Sequence, residues 1–435
     1  MPMEEEVAAS SKLRDAGGFT SVDRLSGAME SEAQSMSYPA TTPEPTGYWN
    51  TEDYDRIYEN EFLAAIDNPL STFSIDVDTA SYSNVRRYLN NNQLPPVDAV
   101  RIEEMVNYFS YNYPQPQGND PFSITTDAAV APWNPDHQLI RIGLQGKVMS
   151  GKELPPSNLV FLIDVSGSMN DPNKLPLLKS AYKMMVNQLS QNERVAIVVY
   201  AGAAGTVLDS TPGSNKQAIL EAIDRLSAGG STAGAQGIQK AYDIAKSNFI
   251  KGGNNRVILA TDGDFNVGVS SDSELTRLIE EKRKEGIFLT VLGFGTGNYK
   301  DNKMEKLANK GNGNYYYIDT EREAKKVLVN ELGSTLFTIA KDVKIQIEFN
   351  PAQVQSYRLI GYENRILAKE DFNDDTKDAG ELGAGHSVTA LYEIIPARLG
   401  ENIAGKVDPL KYQAKNMVNS QELMTVKLRY KQPDA

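Results

Sequence analysis

The hydrophobic period of the chain changes twice, and each change marks a segment. Between 157 and 333 short apolar runs alternate with helical spacing. NLVFLIDV at 158–165 has no polar alternation until its last residues, the pattern of a strand buried on both faces. Leu178, Ala181, Tyr182, Met185 and Leu189 then recur at helical intervals, with Pro176 near the start, where a helix tolerates it. RVAIVVY at 194–200 is the next strand. Ser214 with Gln217 predicts a capping box ahead of Ala218, Ile219, Ala222, Ile223 and Leu226. Ile238, Ala241, Tyr242, Ala245 and Phe249 predict another helix, and RVILAT at 256–261 another strand. Ser271 and Glu274 cap a helix that stops at Gly286, IFLTVLGFG at 287–295 is a strand, Asn314 to Ile318 is a short one, and Thr320 with Glu323 caps a last helix. Strands alternating with helices of this length predict an α/β fold with a doubly wound, mostly parallel sheet.

The flanks read differently. From 342 the period falls to two: Val343, Ile345, Ile347 and Phe349 share one side of VKIQIEF, and Met424, Val426, Leu428 and Tyr430 share one side of MTVKLRY. VTALYEII at 388–395 and LIRIGL at 139–144 add strands. Residues 48–115 are rich in Tyr, Asn and acidic groups. They predict a strand at FSIDVD (73–78), a helix carrying Val85, Tyr88 and Leu89, and after LPP a second helix carrying Val100, Met105, Val106 and Phe109. Residues 1–47 mix Ser, Ala, Glu, Gly and Pro with no hydrophobic pattern and no signal-peptide core. The expected division is a disordered linker at 1–47, a small α/β module at 48–120, an α/β domain at 151–336, and a β-sandwich built from 121–150 with 337–435.

Composition narrows the chemistry. The 435 residues contain no cysteine and two histidines, His137 and His386. Disulfides, thiol catalysis, zinc–thiolate sites and iron–sulfur clusters are thereby excluded, and a multi-histidine centre has too few ligands. Lys plus Arg is 44 against 57 Asp plus Glu, a net charge of −13, which argues against nucleic acid as a partner. No apolar run reaches the roughly 18 residues needed to span a bilayer.

The strongest chemical signal is Asp164-Val-Ser166-Gly-Ser168, directly after a buried strand. Thr232 follows in GGST at 229–232, and Asp262 in TDG at the carboxyl end of RVILAT. In an open parallel sheet, ligands gather beyond the carboxyl ends of the strands where connections change direction. If the Asp164 and Asp262 strands are neighbours there, five oxygen donors converge. Hydroxyls and carboxylates without nitrogen or sulfur suit Mg²⁺, and also Ca²⁺ or Mn²⁺. The hydroxyls leave the ion electron-poor, and an Asp or Glu side chain from a protein partner is a good final ligand.

On these residues, 157–333 resembles a von Willebrand factor type A domain, whose metal-ion-dependent adhesion site uses D-x-S-x-S, a loop threonine and a later aspartate. The resemblance assigns those roles to Asp164, Ser166 and Ser168, to Thr232 and to Asp262, and implies strand order 3-2-1-4-5-6. NTEDYDRIYENEF (50–62), PLSTFSIDVDTASYSNVRRYL (69–89) and DAVRIEEMVNYF (98–109) resemble the N-terminal module of a bacterial family of these proteins. DAGELGAGHSVTALYEI (378–394) resembles the start of its C-terminal β module. Such a domain has both ends opposite the metal, so the flanking strands are expected to meet beneath it. The resemblance also favours a location outside the cytoplasm, with a tether in residues before Met1.

Other motifs compete. Asp76-Val-Asp78-Thr79 imitates the start of a haloacid-dehalogenase-type phosphatase, but a pair of short helices interrupted by Pro95-Pro96 follows where a large α/β core belongs. Gly293-Phe-Gly295-Thr-Gly297 comes too late in its unit for a dinucleotide fingerprint and reads as a loop beside the metal face. His137 reads as a turn residue, and His386 as structural or as a contact between domains. The expected function is metal-dependent protein–protein adhesion or assembly without catalysis. The alternatives are a scaffold with a purely stabilising ion and a metal-dependent hydrolase or phosphatase.

Overall fold

The computed structural model describes residues 51–75, 78–149, 154–230, 234–263, 265, 272–331, 337–377, 379–397 and 420–433. The linker expected at 1–47, and the residues Asp76, Thr232 and Ser271, lie outside that set.

In chain order come β1 (Leu63–Ala64), β2 (Leu70–Ser74), α1 (Ala80–Asn90), α2 (Ile102–Asn107) and a long hairpin of β3 (Phe122–Ala131) and β4 (Asn134–Gly146). The alternating region holds β5 (Ser157–Asp164), α3 (Leu175–Gln188), β6 (Glu193–Tyr200), β7 (Ala204–Pro212), α4 (Lys216–Asp224), α5 (Gly234–Ser247), β8 (Asn254–Thr261), α6 (Asp272–Lys284), β9 (Ile287–Gly293), α7 (Asp301–Lys310), β10 (Tyr315–Tyr317) and α8 (Glu321–Lys325). Then follow β11 (Thr338–Phe349), β12 (Val354–Ile360), β13 (Ile366–Leu367), β14 (Gly380–Gly383), β15 (Ser387–Pro396) and β16 (Met424–Lys431).

The six strands of the alternating region form one sheet in the order β10-β9-β8-β5-β6-β7, which counted within the domain is the expected 3-2-1-4-5-6. Pairing is parallel except at β7, which runs antiparallel to β6. The apolar run of β5 hides an alternation. Leu159, Phe161 and Ile163 join the core under α3 and α4, while Val160 and Leu162 join the core under α5, α6 and α7. Burial on both faces explains why the sequence shows no polar side.

The flanking strands form two further sheets, packed around one core. One has the order β1-β12-β15-β4-β3; in the other, β13-β2-β11-β14, β16 also pairs with β11. β4, which precedes the α/β domain, pairs along Gln138–Gln145 with β15, which follows it. Val343, Ile345, Ile347 and Phe349 all point into this core.

Four local expectations differ from the structure. The segment 48–120, expected as a small α/β module beside a sandwich of 121–150 with 337–435, contributes strands to that sandwich: β1 pairs with β12 and β2 pairs with β11, with Phe73 opposite Ile345. The strand in FSIDVD stops at Ser74. In α2 the buried side chains are Glu103, Glu104 and Asn107, while Ile102 and Phe109 are exposed. The polar face is inward because it finds partners there: Glu104 accepts from the Ser81 N–H at 2.7 Å and pairs with Arg101, and Asn107 donates to Tyr362 Oη at 3.0 Å. Finally, Ser214 and Gln217 form no capping box. The helix starts at Lys216 with Asn215 at its N-cap, and Gln217 donates along the helix to Glu221 at 2.6 Å. Thr320 does cap, accepting from the Glu323 N–H at 3.3 Å.

Candidate metal centre

The centre lies where β5 and β8 end side by side. Ile163 pairs with Ala260, so the register sets Thr261 beside Asp164 and Asp262 one residue beyond. Both carboxylates are fully buried. After β5 the chain folds back on its own aspartate: the Ser166 N–H donates to Asp164 Oδ1 at 2.9 Å, an Asx turn that needs no remote help. The turn is pinned from the loop after α4, with Gly229 N donating to Val165 O at 2.7 Å and Gly167 N donating to Gly230 O at 3.0 Å. It brings Ser166 Oγ and Ser168 Oγ to 3.0 Å from each other, the first buried and the second exposed, so the group opens to solvent on the Ser168 side.

Asp164 Oδ2 accepts from Tyr200 Oη at 3.2 Å and from Thr261 Oγ1 at 3.3 Å. Burial pushes its carboxyl up to about 6, against the lowering effect of the Ser166 hydrogen bonds, and the neighbouring Asp262 pushes the same way as burial. Asp262 meets the ammonium of Lys174, with Nζ 3.0 Å from Oδ2. The structure thus brings Asp164, Ser166, Ser168 and Asp262 to adjacent strand ends. Thr232 falls outside the described residues. Among the described residues no three His, Asp or Glu side chains are grouped as a metal site, so hydroxyls are indispensable to any site here. The donors fit a hard divalent ion: they are all oxygen, two of them buried carboxylates beside a pair of hydroxyls. Sequence reasoning missed Tyr200 and Thr261, whose roles come from pairing β5 with its two neighbours, and Lys174, which reaches Asp262 from the residue before α3.

The loop 293–297 borders this crevice, as expected for the glycine run. At Gly295, with φ of +78°, an added Cβ would sit 2.2 Å from Lys174 Cε. Gly297 is held from the other side by residues 51–53: its N–H donates to Glu52 Oε1 at 2.8 Å, and its carbonyl accepts from the Thr51 N–H at 2.7 Å. Burial alone would raise Glu52, but hydrogen bonds from Arg87, the Gly297 N–H and Tyr88 hold it at about 2.

The competing motifs are accounted for locally. Asp78 is buried, accepts from the Tyr315 N–H at 2.8 Å and lies 3.4 Å from Arg365, so it ties the first helix to the central sheet. His137 lies in β4 and meets Glu393 at 2.5 Å. Burial and then the Lys326 charge lower the His386 imidazole to about 4.

Three family models match successive parts of the chain: one described as von Willebrand factor over 48–141, the von Willebrand factor type A domain over 158–330, and the C-terminal part of YfbK over 334–435. Over 394 residues the chain is 45% identical to a protein named "Uncharacterized protein YfbK" from Escherichia coli (strain K12), covering 88% of this chain and 68% of that protein. The chain belongs to the YfbK-type bacterial von Willebrand factor type A proteins. A second relative, "Uncharacterized protein sll0103" from Synechocystis, is 29% identical over 198 residues and covers 42% of this chain and 43% of its own length. A solved structure named "von Willebrand factor type A from Catenulispora acidiphila" aligns with a TM-score of 0.43 at 18% identity, over 65% of this chain and 67% of that one. A von Willebrand factor type A domain makes this YfbK-type chain a protein-interaction or adhesion module in the general sense. Among the described residues no helix is long and apolar enough to cross a membrane.

Proposed function

We propose that this protein holds another protein through a divalent cation at the ends of β5 and β8, without catalysis. The observation that carries the reading is the pair of fully buried carboxylates, Asp164 and Asp262, beside the hydroxyl pair of Ser166 and Ser168. Ser166 and Ser168 would bind the ion through neutral oxygens, with Asp164 and Asp262 supplying negative charge directly or through water, and Thr232 completing the set. Mg²⁺ is the favoured ion, with Ca²⁺ or Mn²⁺ as substitutes. The bound ion supplies one electrophilic position, which an Asp or Glu side chain of a partner fills. The exposed Ser168 edge is the approach for that side chain. Neither histidine lies in the crevice, and a hydrolase built on the ion would need a base to handle an attacking water. The partner would be met outside the cytoplasm.

The test is calorimetric titration with Mg²⁺ of the wild type and of Asp164→Ala, followed by capture of envelope proteins with and without EDTA. Saturable heat that is absent from the variant, together with EDTA-sensitive capture, supports the reading. An identical heat signature in both proteins removes it.

A further inference from the structure

Beside this donor set stands Lys174, which no motif singles out. It lies immediately before α3, and its side chain is only 6% exposed, an unusual position for an ammonium. Its Nζ is 3.0 Å from Asp262 Oδ2; the next carboxylate, Asp171, is 3.9 Å away and mostly in solvent. The stem runs against Gly295, where any Cβ would collide with Cε at 2.2 Å, Cγ at 2.8 Å and Cδ at 2.9 Å. The left-handed glycine therefore leaves the channel through which the lysine reaches the crevice. A buried ammonium is costly unless paired, so Lys174 and Asp262 are bound to each other by their surroundings.

Asp164, Asp262 and Lys174 together carry −1, whereas the two aspartates without the lysine would carry −2. A divalent ion entering beside Ser166 and Ser168 meets an aspartate whose charge is already half committed. We propose that Lys174 is an internal counter-cation that competes with the divalent ion for Asp262, so that the ion is held weakly and stays electron-poor enough to need a partner's carboxylate. This rests on the reading of the crevice as a metal centre. It deepens that reading by assigning the residue that sets the strength of ion binding.

The experiment is titration with Mg²⁺ and with Mn²⁺ alone, by calorimetry, of the full chain, of Lys174→Met, of Lys174→Gln and of Lys174→Met combined with Asp262→Asn. Removing the ammonium is expected to tighten ion binding by about tenfold or more, because a unit charge at this distance is weakly screened inside a protein. The gain should largely vanish when Asp262 is neutralised as well. Lys174→Gln keeps a hydrogen bond to Asp262 without the charge and should show the same direction, so the test survives if the methionine variant folds poorly. Loss of packing alone would weaken ion binding, never tighten it. Binding that is equal or weaker in both lysine variants, while the wild type binds, overturns the role of Lys174 and leaves the metal centre standing. Absence of binding in every protein, lysine variants included, overturns both.

Discussion

Two regions of this molecule bury charge, and they do so in opposite ways. At the joint between α2 and α7, Arg101 lies among Glu104, Asp301 and Glu305, with Nη1 2.5 Å from Asp301 Oδ2 and 3.6 Å from Glu305. Nearby, Arg86 bridges Asp319 at 2.5 Å and Glu323 at 2.8 Å, and Arg87 meets Glu52 at 2.8 Å. Each guanidinium there faces carboxylates in fixed planar geometry, and the protein supplies both signs. At the ends of β5 and β8 there are two buried carboxylates and one ammonium, which of these two meets Asp262 alone, while Asp164 is bonded by neutral groups. The first arrangement is closed and structural. The second, in the reading proposed above, takes a positive charge from outside. On that reading, buried ionisable groups mark a binding site by the balance and type of their partners, not by burial alone.

The largest test of this contrast is at the closed joint. Arg101→Met should cost about 3–5 kcal/mol, because it leaves three carboxylates facing each other in the interior. Urea denaturation measures the loss, and it should be the same with and without Mg²⁺. A cost below about 1 kcal/mol would erase the distinction between the regions. Next comes Glu52, which ties the first residues of the described chain to the loop beside the crevice. Its folded carboxyl is held at about 2 against an ordinary 4.5, so its contribution is complete above about 4.5 and is lost as the pH falls from there towards 2. Glu52→Gln should lose about 1–2 kcal/mol at pH 7, after allowance for solvent screening, and the difference from wild type should shrink to nothing in the same acid window. A difference that persists at pH 2 would show that Glu52 acts by shape and not by charge. The smallest effect belongs to Thr320→Ala, which removes the cap of α8 and should cost about 1 kcal/mol in thermal melts, leaving Mg²⁺ titrations unchanged.

How much of this was legible depended on range. The strand–helix alternation was readable because each element announces itself within a few residues, and from it came the α/β class and the mostly parallel sheet, while the strand order came from the family resemblance. Asp164, Ser166 and Ser168 were readable for the same reason: a turn that bonds to its own aspartate is a local event. The buried face of α2 was misread because hydrophobic periodicity assumes that apolar residues face inward, and Glu104 and Asn107 overturned that with remote partners. The roles of β1 and β2 were not readable at all. Strands of two and five residues carry too little pattern to indicate pairing with β12 and β11 nearly three hundred positions away.

By itself the sequence determined the elements and the oxygen-only composition of the loop at the end of β5, since periodicity and composition are properties of neighbouring residues, while the order of the strands came from resemblance to a known family. Tertiary structure decided which donors meet. Only the register of β5 against β8 sets Asp262 near Asp164, and only the close passage of Lys174 over Gly295 brings a positive charge to Asp262. Convergence of groups distant in the chain depends on strand pairing and packing, which no short window of sequence encodes.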